Sequence, residues 1–496
     1  MKMLESYKTN IRSVKKQYFK AKKEVRFAYN KFQNIIKLSK TPYYSRLLSL
    51  RNPKQPLKRS LSGFEIELML IDNDGKISNT SEKIIHASNK EQRSIYISKE
   101  VGKQMIELHS FPSIKVKDSA LNLVENTIKV AEIAEKSGSM IYPFANYPGR
   151  YEVIMHQTPR YIIQSKILGD EIFKKTHGSL CGFHFHYTQP RGTFNHKELF
   201  LKKLLRSKVK HSFMDCYNTL IAADPVLTTF MQSSPFVDNR YFAKDSRIIM
   251  IRGGKKLGFP EGLFGKKQLL GALPPYKHTM YDLSLSLRRK DHKWRELVEK
   301  SSLNSKLKDM LNNKITLDYI WNPVKINKLG TFEQRGMDTN LLSYVIATGT
   351  LIRVVLRAIQ NDRLVIWPSD IGMSEPFKIE GNLVYIPPHS YVRNKLQKYA
   401  AYEGIKNKDV FSYCSKYFKF AKKLVNSRYH DLLKPIENII EEKKTMSDII
   451  IEKAKKAGYG LNDILPDEFV REFALHSADE FKKDLFKTEE LLSKIG

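Results

Sequence analysis

The sequence predicts an α+β protein in which an antiparallel β-sheet carries polar groups on one face and helices pack around it. Two observations lead there. Three short stretches alternate apolar and polar residues with a period of two, as strands with unlike faces do. They are Gly63-Phe64-Glu65-Ile66-Glu67, Gly182-Phe183-His184-Phe185-His186-Tyr187 and Gly330-Thr331-Phe332-Glu333-Gln334-Arg335. Much of the remaining chain instead shows helical spacing of its apolar residues. The expected organisation is a basic N-terminal helical extension over residues 1–60, a core over 61–360, and a mainly helical region over 361–496 that packs on it.

At 496 residues the chain suits one large unit with appendages. A hydrophobic content of 41% with 11% aromatic residues supplies a real core and excludes wholesale disorder. The formal net charge is +33, from 85 Lys and Arg against 52 Asp and Glu. Such an excess fits nucleic acid, an anionic surface or phosphate-bearing substrates. It fits equally well lysines spread over solvated faces. Cys181, Cys216 and Cys414 form no CxxC pair, so a reducing cytoplasm is expected rather than a disulfide framework. Cys181, beside His184, reads as a small buried residue. No uninterrupted apolar run approaches the roughly 18 residues of a transmembrane helix. The N-terminus lacks the apolar core of a secretory signal, while its basic, acid-poor composition leaves an organellar transit segment open.

Taken in order, Leu4, Tyr7, Ile11, Val14, Tyr18, Ala21, Val25, Ala28, Phe32 and Ile35 alternate steps of three and four. That is a heptad seam on one long helix, which must bury its stripe on another copy, a partner or the body of the chain. Helix packing, including homo-oligomerisation, is favoured over nucleic-acid contact. Thr41-Pro42 and Asn52-Pro53 to Pro56 then break the pattern. A strand over 61–72 ends in the turn Asp72-Asn73-Asp74-Gly75. A second strand over 103–112 places Glu107 and His109 on one face, and a helix follows over 118–136. A helix from about Arg160 through Phe173 delivers the chain to the His184 strand. Residues 197–227 read as largely helical, 232–236 as a polar loop near Arg240 and Arg247, and 282–311 as a charged, helix-like rim. After the Glu333 strand comes an apolar helix over 341–359. Helices over 408–427 and 448–456, a Gly458-Tyr459-Gly460 cap and a final amphipathic helix over 466–492 complete the chain.

Glu65 with Glu67, His184 with His186, and Glu333 with Arg335 each fall on one strand face. If these strands are neighbours, six polar side chains line one surface. Carboxylates hold divalent metals, an imidazole completes a metal site, and a guanidinium neutralises a transferring phosphate. The inventory suits phosphoryl transfer. No GxxxxGK followed by Ser or Thr is present, so a Walker-type phosphate loop is not supported.

In these blocks the chain resembles the glutamate–cysteine ligase family 2, carboxylate–amine ligases built on a glutamine synthetase-like sheet. Gly63-Phe64-Glu65-Ile66-Glu67 matches GxExE, and Ile106-Glu107-Leu108 matches the second acidic strand. Arg160-Tyr161 fits the RY before the helix, and Gly182 to His186 fits GxHxH. Ser233-Ser234-Pro235-Phe236 with Arg240, Ser246 and Arg247 is similar to the SxSP…R…SR block. Gly330 to Arg335 with Met337-Asp338 matches GTxExR and the following MD. Six blocks in order, from about Gly63 to Ala358, carry the resemblance.

The resemblance implies that Glu65, Glu67, Glu107, His184 and Glu333 hold Mg²⁺ or Mn²⁺ ions that bridge ATP phosphates. It places His186 beside the nucleotide and Arg335 on the γ-phosphoryl group. Arg160, Ser233, Arg240 and Arg247 are the implied substrate-binding residues. The implied reaction activates glutamate as an acyl phosphate and joins it to an amine, cysteine by default, as in glutathione biosynthesis. Two departures bear on the acceptor amine: His109 stands where a small residue is usual, and Tyr187-Thr188 replaces a small pair. The competing readings are a guanidino phosphotransferase of related fold, and a basic nucleic-acid- or membrane-binding protein with a degenerate ligase core.

Overall fold

The computed structural model describes residues 60–495 apart from 92–94, 189–193, 196–199, 202–207, 312–315, 328–329 and 363. The basic extension with its heptad seam lies outside the described residues.

Apolar–polar alternation becomes sheet structure where expected. The strands are β1 (Ser62–Asp72), β2 (Ile97–Lys99), β3 (Met105–His109), β4 (Ser139–Tyr142), β5 (Gly182–Thr188), β6 (Val324–Ile326) and β7 (Thr331–Asp338). They form one sheet in the order β6-β7-β5-β1-β3-β2, with β4 also paired to β1. Every pairing in it is antiparallel. Met69 pairs with Met105 across one edge of β1 and with Tyr142 across the other, so β4 continues on the side that β5 vacates. The three polar-pair strands are therefore β7, β5 and β1, side by side.

The apolar halves of these strands build the core. Phe64, Ile66, Leu68, Phe183, Phe185, Tyr187 and Phe332 are all fully buried. Each such side chain contributes about 1.5–3 kcal/mol by leaving water. Phe64 stacks on Phe183 at 6.0 Å and meets Phe185 edge-on at 5.3 Å.

Helices α1 (Val116–Lys136), α2 (Pro159–Leu168), α3 (Lys208–Met231), α4 (Met280–Glu299) and α5 (Leu342–Asp362) surround the sheet. Helix α5 comes so close to it that a Cβ on Gly349 would lie 2.2 Å from the Phe64 ring. Residues Leu342–Asn361 are long and apolar enough to cross a membrane by length and composition, with a mean hydropathy of 1.6. A search for unbroken apolar runs passes over this segment because Arg353 and Arg357 interrupt it. It is a core helix, 78% buried inside the protein.

Several expected bounds shift. Gly169, at φ 110°, breaks the helix after Arg160 into two. The helix expected over 197–227 begins at Lys208 and ends at Met231, and Phe194–Asn195 pairs with Phe200–Leu201 as a two-residue hairpin before it. The region past 361 is not helical throughout. Strands β8 (Val365–Pro368), β9 (Ile379–Glu380) and β10 (Leu383–Ile386) make a small sheet in which β8 and β10 are parallel. Helices α6 (Lys408–Lys422) and α7 (Asp467–Lys494) follow, and α7 lies along α1 and β4. Cys181, Cys216 and Cys414 are free and buried.

Candidate active site

Register gathers the polar residues. Glu65 lies opposite His109 on one side and His184 on the other, Glu67 opposite Glu107, and Glu333 opposite His186 and Lys325. Alternation then turns all of these side chains to the same face. They line a cleft of about 540 Å³, with Arg160, Tyr161, Gln164, Asp318, Trp321, Asn327 and Thr331 among the other lining residues. One β-bulge interrupts the pattern, between Gln334 and Met337 on β7. An extra residue there re-aims the strand next to Arg335.

The contacts are dense. Glu65 Oε2 lies 2.7 Å from His186 Nε2 and 3.2 Å from His184 Nδ1. Its other oxygen lies 3.1 Å from His109 Nδ1. The Gly182 amide donates to Glu67 Oε2 at 2.5 Å, and Glu67 Oε1 lies 3.4 Å from His184 Nε2. Glu333 accepts from Arg335 Nη1 at 3.0 Å and faces Lys325 Nζ at 3.5 Å. His186 Nδ1 lies 3.0 Å from Thr331 Oγ1 and 3.1 Å from Asn327 Nδ2.

Electrostatics divides the carboxylates into two sets. Burial opposes ionisation of Glu65, but hydrogen bonds from His109, His184 and His186 outweigh it and hold its carboxyl well below the ordinary value. Burial likewise opposes ionisation of Glu333, and the charges of Lys325 and Arg335 bring it down to about 2. Glu100 and Glu107 go the other way. Burial raises both, and neighbouring carboxylates raise them further: Glu107 and Glu67 act on Glu100, and Glu65 acts on Glu107. Burial lowers His184, whereas the Glu65 hydrogen bond overcomes burial and raises His186.

Crowded acids that repel one another, beside a buried imidazole nitrogen without a hydrogen bond, fit a divalent cation. His184 Nε2 is that nitrogen. Three overlapping triads place ligand atoms within 4.8 Å of one another: Glu65–His186–Glu333, Glu65–Glu107–His184 and Glu67–Glu100–Glu107. The donor set, carboxylates with one or two imidazoles, suits Mg²⁺ or Mn²⁺.

Of the residues expected from sequence, the structure brings Glu65, Glu67, Glu107, His184, His186, Glu333, Arg335 and Arg160 to the cleft. Three others lie elsewhere. Arg240 is exposed on a short hairpin with Val237. Ser233 is buried, its amide donating to Asp338 Oδ2 at 3.0 Å and its hydroxyl to the Thr339 carbonyl at 2.6 Å. Arg247 is 1% exposed and props the bulge, donating to the carbonyls of Arg335 and Met337, each at 3.0 Å. A Cβ on Gly182 would lie 2.1 Å from Arg247 Nη2, which is why glycine opens the His184 strand. None of these three, expected as substrate handles, lines the cleft: Ser233 and Arg247 are engaged with the backbone around β7, and Arg240 is exposed outside it.

Other members escaped the sequence reading. Glu100 completes a triad from the turn after β2, and Lys325 neutralises Glu333 from β6. Trp321 is ringed by Arg247, Arg252 and Arg335, whose guanidinium carbons lie 5.5, 5.9 and 5.9 Å from its ring. The one available signal for Glu100 was an acid seven residues before Glu107 on the other arm of a hairpin.

No protein-family model matches the sequence, and no curated protein does either. Solved structures do. The chain is similar to a glutamate–cysteine ligase from Francisella tularensis, crystallised in complex with AMP, with a TM-score of 0.52 and 12% identity over 88% of this chain and 93% of that one. It is also similar to a bifunctional glutathione synthetase from Pasteurella multocida, with a TM-score of 0.51 and 12% identity over 87% of this chain. The chain spans about half, 53%, of that second protein's length. The fold of the chain is the fold that these ligases share, as the sequence motifs implied.

Proposed function

We propose that the chain is an ATP-dependent carboxylate–amine ligase. It phosphorylates a side-chain carboxylate, glutamate by default, and an amine, cysteine by default, then displaces phosphate to form a γ-glutamyl amide. One observation carries the reading. Arg335 and Glu333 share a strand face 3.0 Å apart, beside the acid–imidazole rows of two neighbouring strands, in a fold also found in a ligase crystallised with AMP.

A carboxylate is a poor electrophile at neutral pH, and phosphorylation supplies the missing leaving group. The carboxylate oxygen attacks the γ-phosphorus and ADP departs. The amine nitrogen then attacks the acyl carbon, loses a proton, and phosphate departs. Glu65, Glu67, Glu100, Glu107, His184 and Glu333 would hold divalent cations, which would supply charge neutralisation for the triphosphate. Arg335 stabilises the charge of the phosphoryl group in flight. His186 serves the nucleotide side, oriented by Glu65, Thr331 and Asn327. Arg160, anchored to the Asp318 carbonyl at 3.1 Å, offers its remaining donors to a substrate carboxylate. The three buried free cysteines fit a reducing, cytoplasmic setting.

The test is phosphate release from ATP with glutamate and a panel of amines, in wild type, Arg335→Ala and Glu65→Ala. Release that needs glutamate and one amine, and that both substitutions abolish, supports the reading. Hydrolysis that ignores glutamate, or no turnover with any pairing, rejects it.

A further inference from the structure

His109 is not needed by the ligase reading, yet it stands inside the metal-binding face. It ends β3 directly opposite Glu65. Its ring lies between two carboxylates, with Nδ1 3.1 Å from Glu65 Oε1 and Nε2 3.3 Å from Glu107 Oε2. Ser98 Oγ lies 3.0 Å from the same Nε2 and donates to Glu107 Oε2 at 2.8 Å. His184 and His186 approach the other oxygen of Glu65. Three imidazoles, two from β5 and one from β3, therefore converge on a single carboxylate.

A separate observation points to a ligand on this face of the sheet. His184 is 2% exposed: its Nδ1 is turned to Glu65 and Glu107, with which it could hold an ion, and its Nε2, 3.4 Å from Glu67 Oε1, makes no hydrogen bond. Oxygen-rich sites suit Mg²⁺, which keeps several waters and takes few protein ligands. Each added imidazole shifts a site toward first-row transition metals such as Co²⁺, Ni²⁺ and Zn²⁺.

We propose that His109 is a further metal ligand, and that the position around Glu65 takes a first-row transition-metal dication in preference to Mg²⁺. The inference rests on the metal-binding part of the ligase reading and deepens it. Ser98 has the place of an outer partner that fixes the ring, as ligating histidines commonly have.

Co²⁺ is the probe, because its visible absorption reports ligand type. Full-length protein is stripped with a chelator and titrated by calorimetry and absorption, as wild type, His109→Ala, His109→Gln and His184→Ala. Circular dichroism verifies that each variant is folded. The expected result is a loss of Co²⁺ affinity of about 10–100-fold in both His109 variants, with a shifted absorption band. In wild type, about a 100-fold excess of Mg²⁺ leaves Co²⁺ bound. Co²⁺ affinities of the folded His109 variants within about twofold of wild type overturn the inference. If His184→Ala still weakens binding in that case, the metal face stands and only the role of His109 falls. If no variant changes Co²⁺ binding, the metal part of the ligase reading falls with it.

Discussion

Glu65 and His186 are not partners in the sheet, yet the Glu65 carboxylate reaches His186 Nε2 at 2.7 Å. The register partner of His186 is Gly63, and that of Glu65 is His184. With no side chain at Gly63, the carboxylate has room to lean diagonally across the face. One acid thereby orders both histidines of β5. Glu65→Gln keeps the shape and removes the charge. It is expected to lower ATP-dependent turnover by about 100-fold and to lower the His186 pKa, read from imidazole NMR titration. Turnover and titration like wild type would remove Glu65 from the centre of the site.

Arg335 offers a forked, permanently charged donor set, whereas lysine offers a point charge. Arg335→Ala is expected to lower kcat by about 10³-fold or more and to change the KM for ATP little, because the interaction strengthens as charge moves. Arg335→Lys should recover only part of the rate. A raised KM with unchanged kcat would assign Arg335 to ground-state binding instead.

In chelator, the cleft is expected to make the protein sensitive to alkali. Burial lowers His109, but its hydrogen bonds to the Glu107 and Glu65 carboxylates overcome this and raise it to about 11. A raised pKa gives stability that is complete below the unfolded value near 6.5 and is lost as pH climbs toward about 11. The raised carboxyls of Glu107 and Glu100 act in the same direction, since they favour the protonated folded state. The melting temperature in chelator should therefore fall from pH 6.5 upward, and a divalent cation should flatten the fall by replacing protons as the neutralising charge. A melting temperature independent of pH in chelator, over that range, would contradict this account.

Arg247 and Gly182 should behave as one unit. Arg247→Ala unpairs two carbonyls and leaves Glu67 without its nearby guanidinium, 3.9 Å away. A loss on the order of 3 kcal/mol in urea denaturation is expected. Gly182→Ala forces its Cβ onto the same guanidinium, so the double variant should lose less than the sum of the two. An Arg247→Ala protein of normal stability with a raised KM for the carboxylate substrate would restore Arg247 as a substrate handle.

The legible part of the site was the part with periodicity. Glu65, Glu67, His184, His186, Glu333 and Arg335 announce themselves because alternation shows which neighbours share a face. Glu100, Lys325 and Trp321 come from short segments without such a pattern, and only the fold brings them in. Arg247 misled for a different reason: a charged residue in a polar loop looks exposed, and nothing local reveals that two carbonyls and an indole enclose it. In the same way, the four residues of β8 and of β10 were too short to stand out against the helices around them.

The sheet order also has a consequence for how the protein comes to be active. Glu65 and His184 are 119 residues apart in sequence, and His186 and Thr331 are 145 apart. Pairings of such long range close slowly and late in folding. No nascent or truncated chain that lacks β7 holds more than part of the acid–imidazole face. A ribosome must therefore release most of the core before the first complete site exists, and of the three candidate triads only Glu65–His186–Glu333 has to wait for β7.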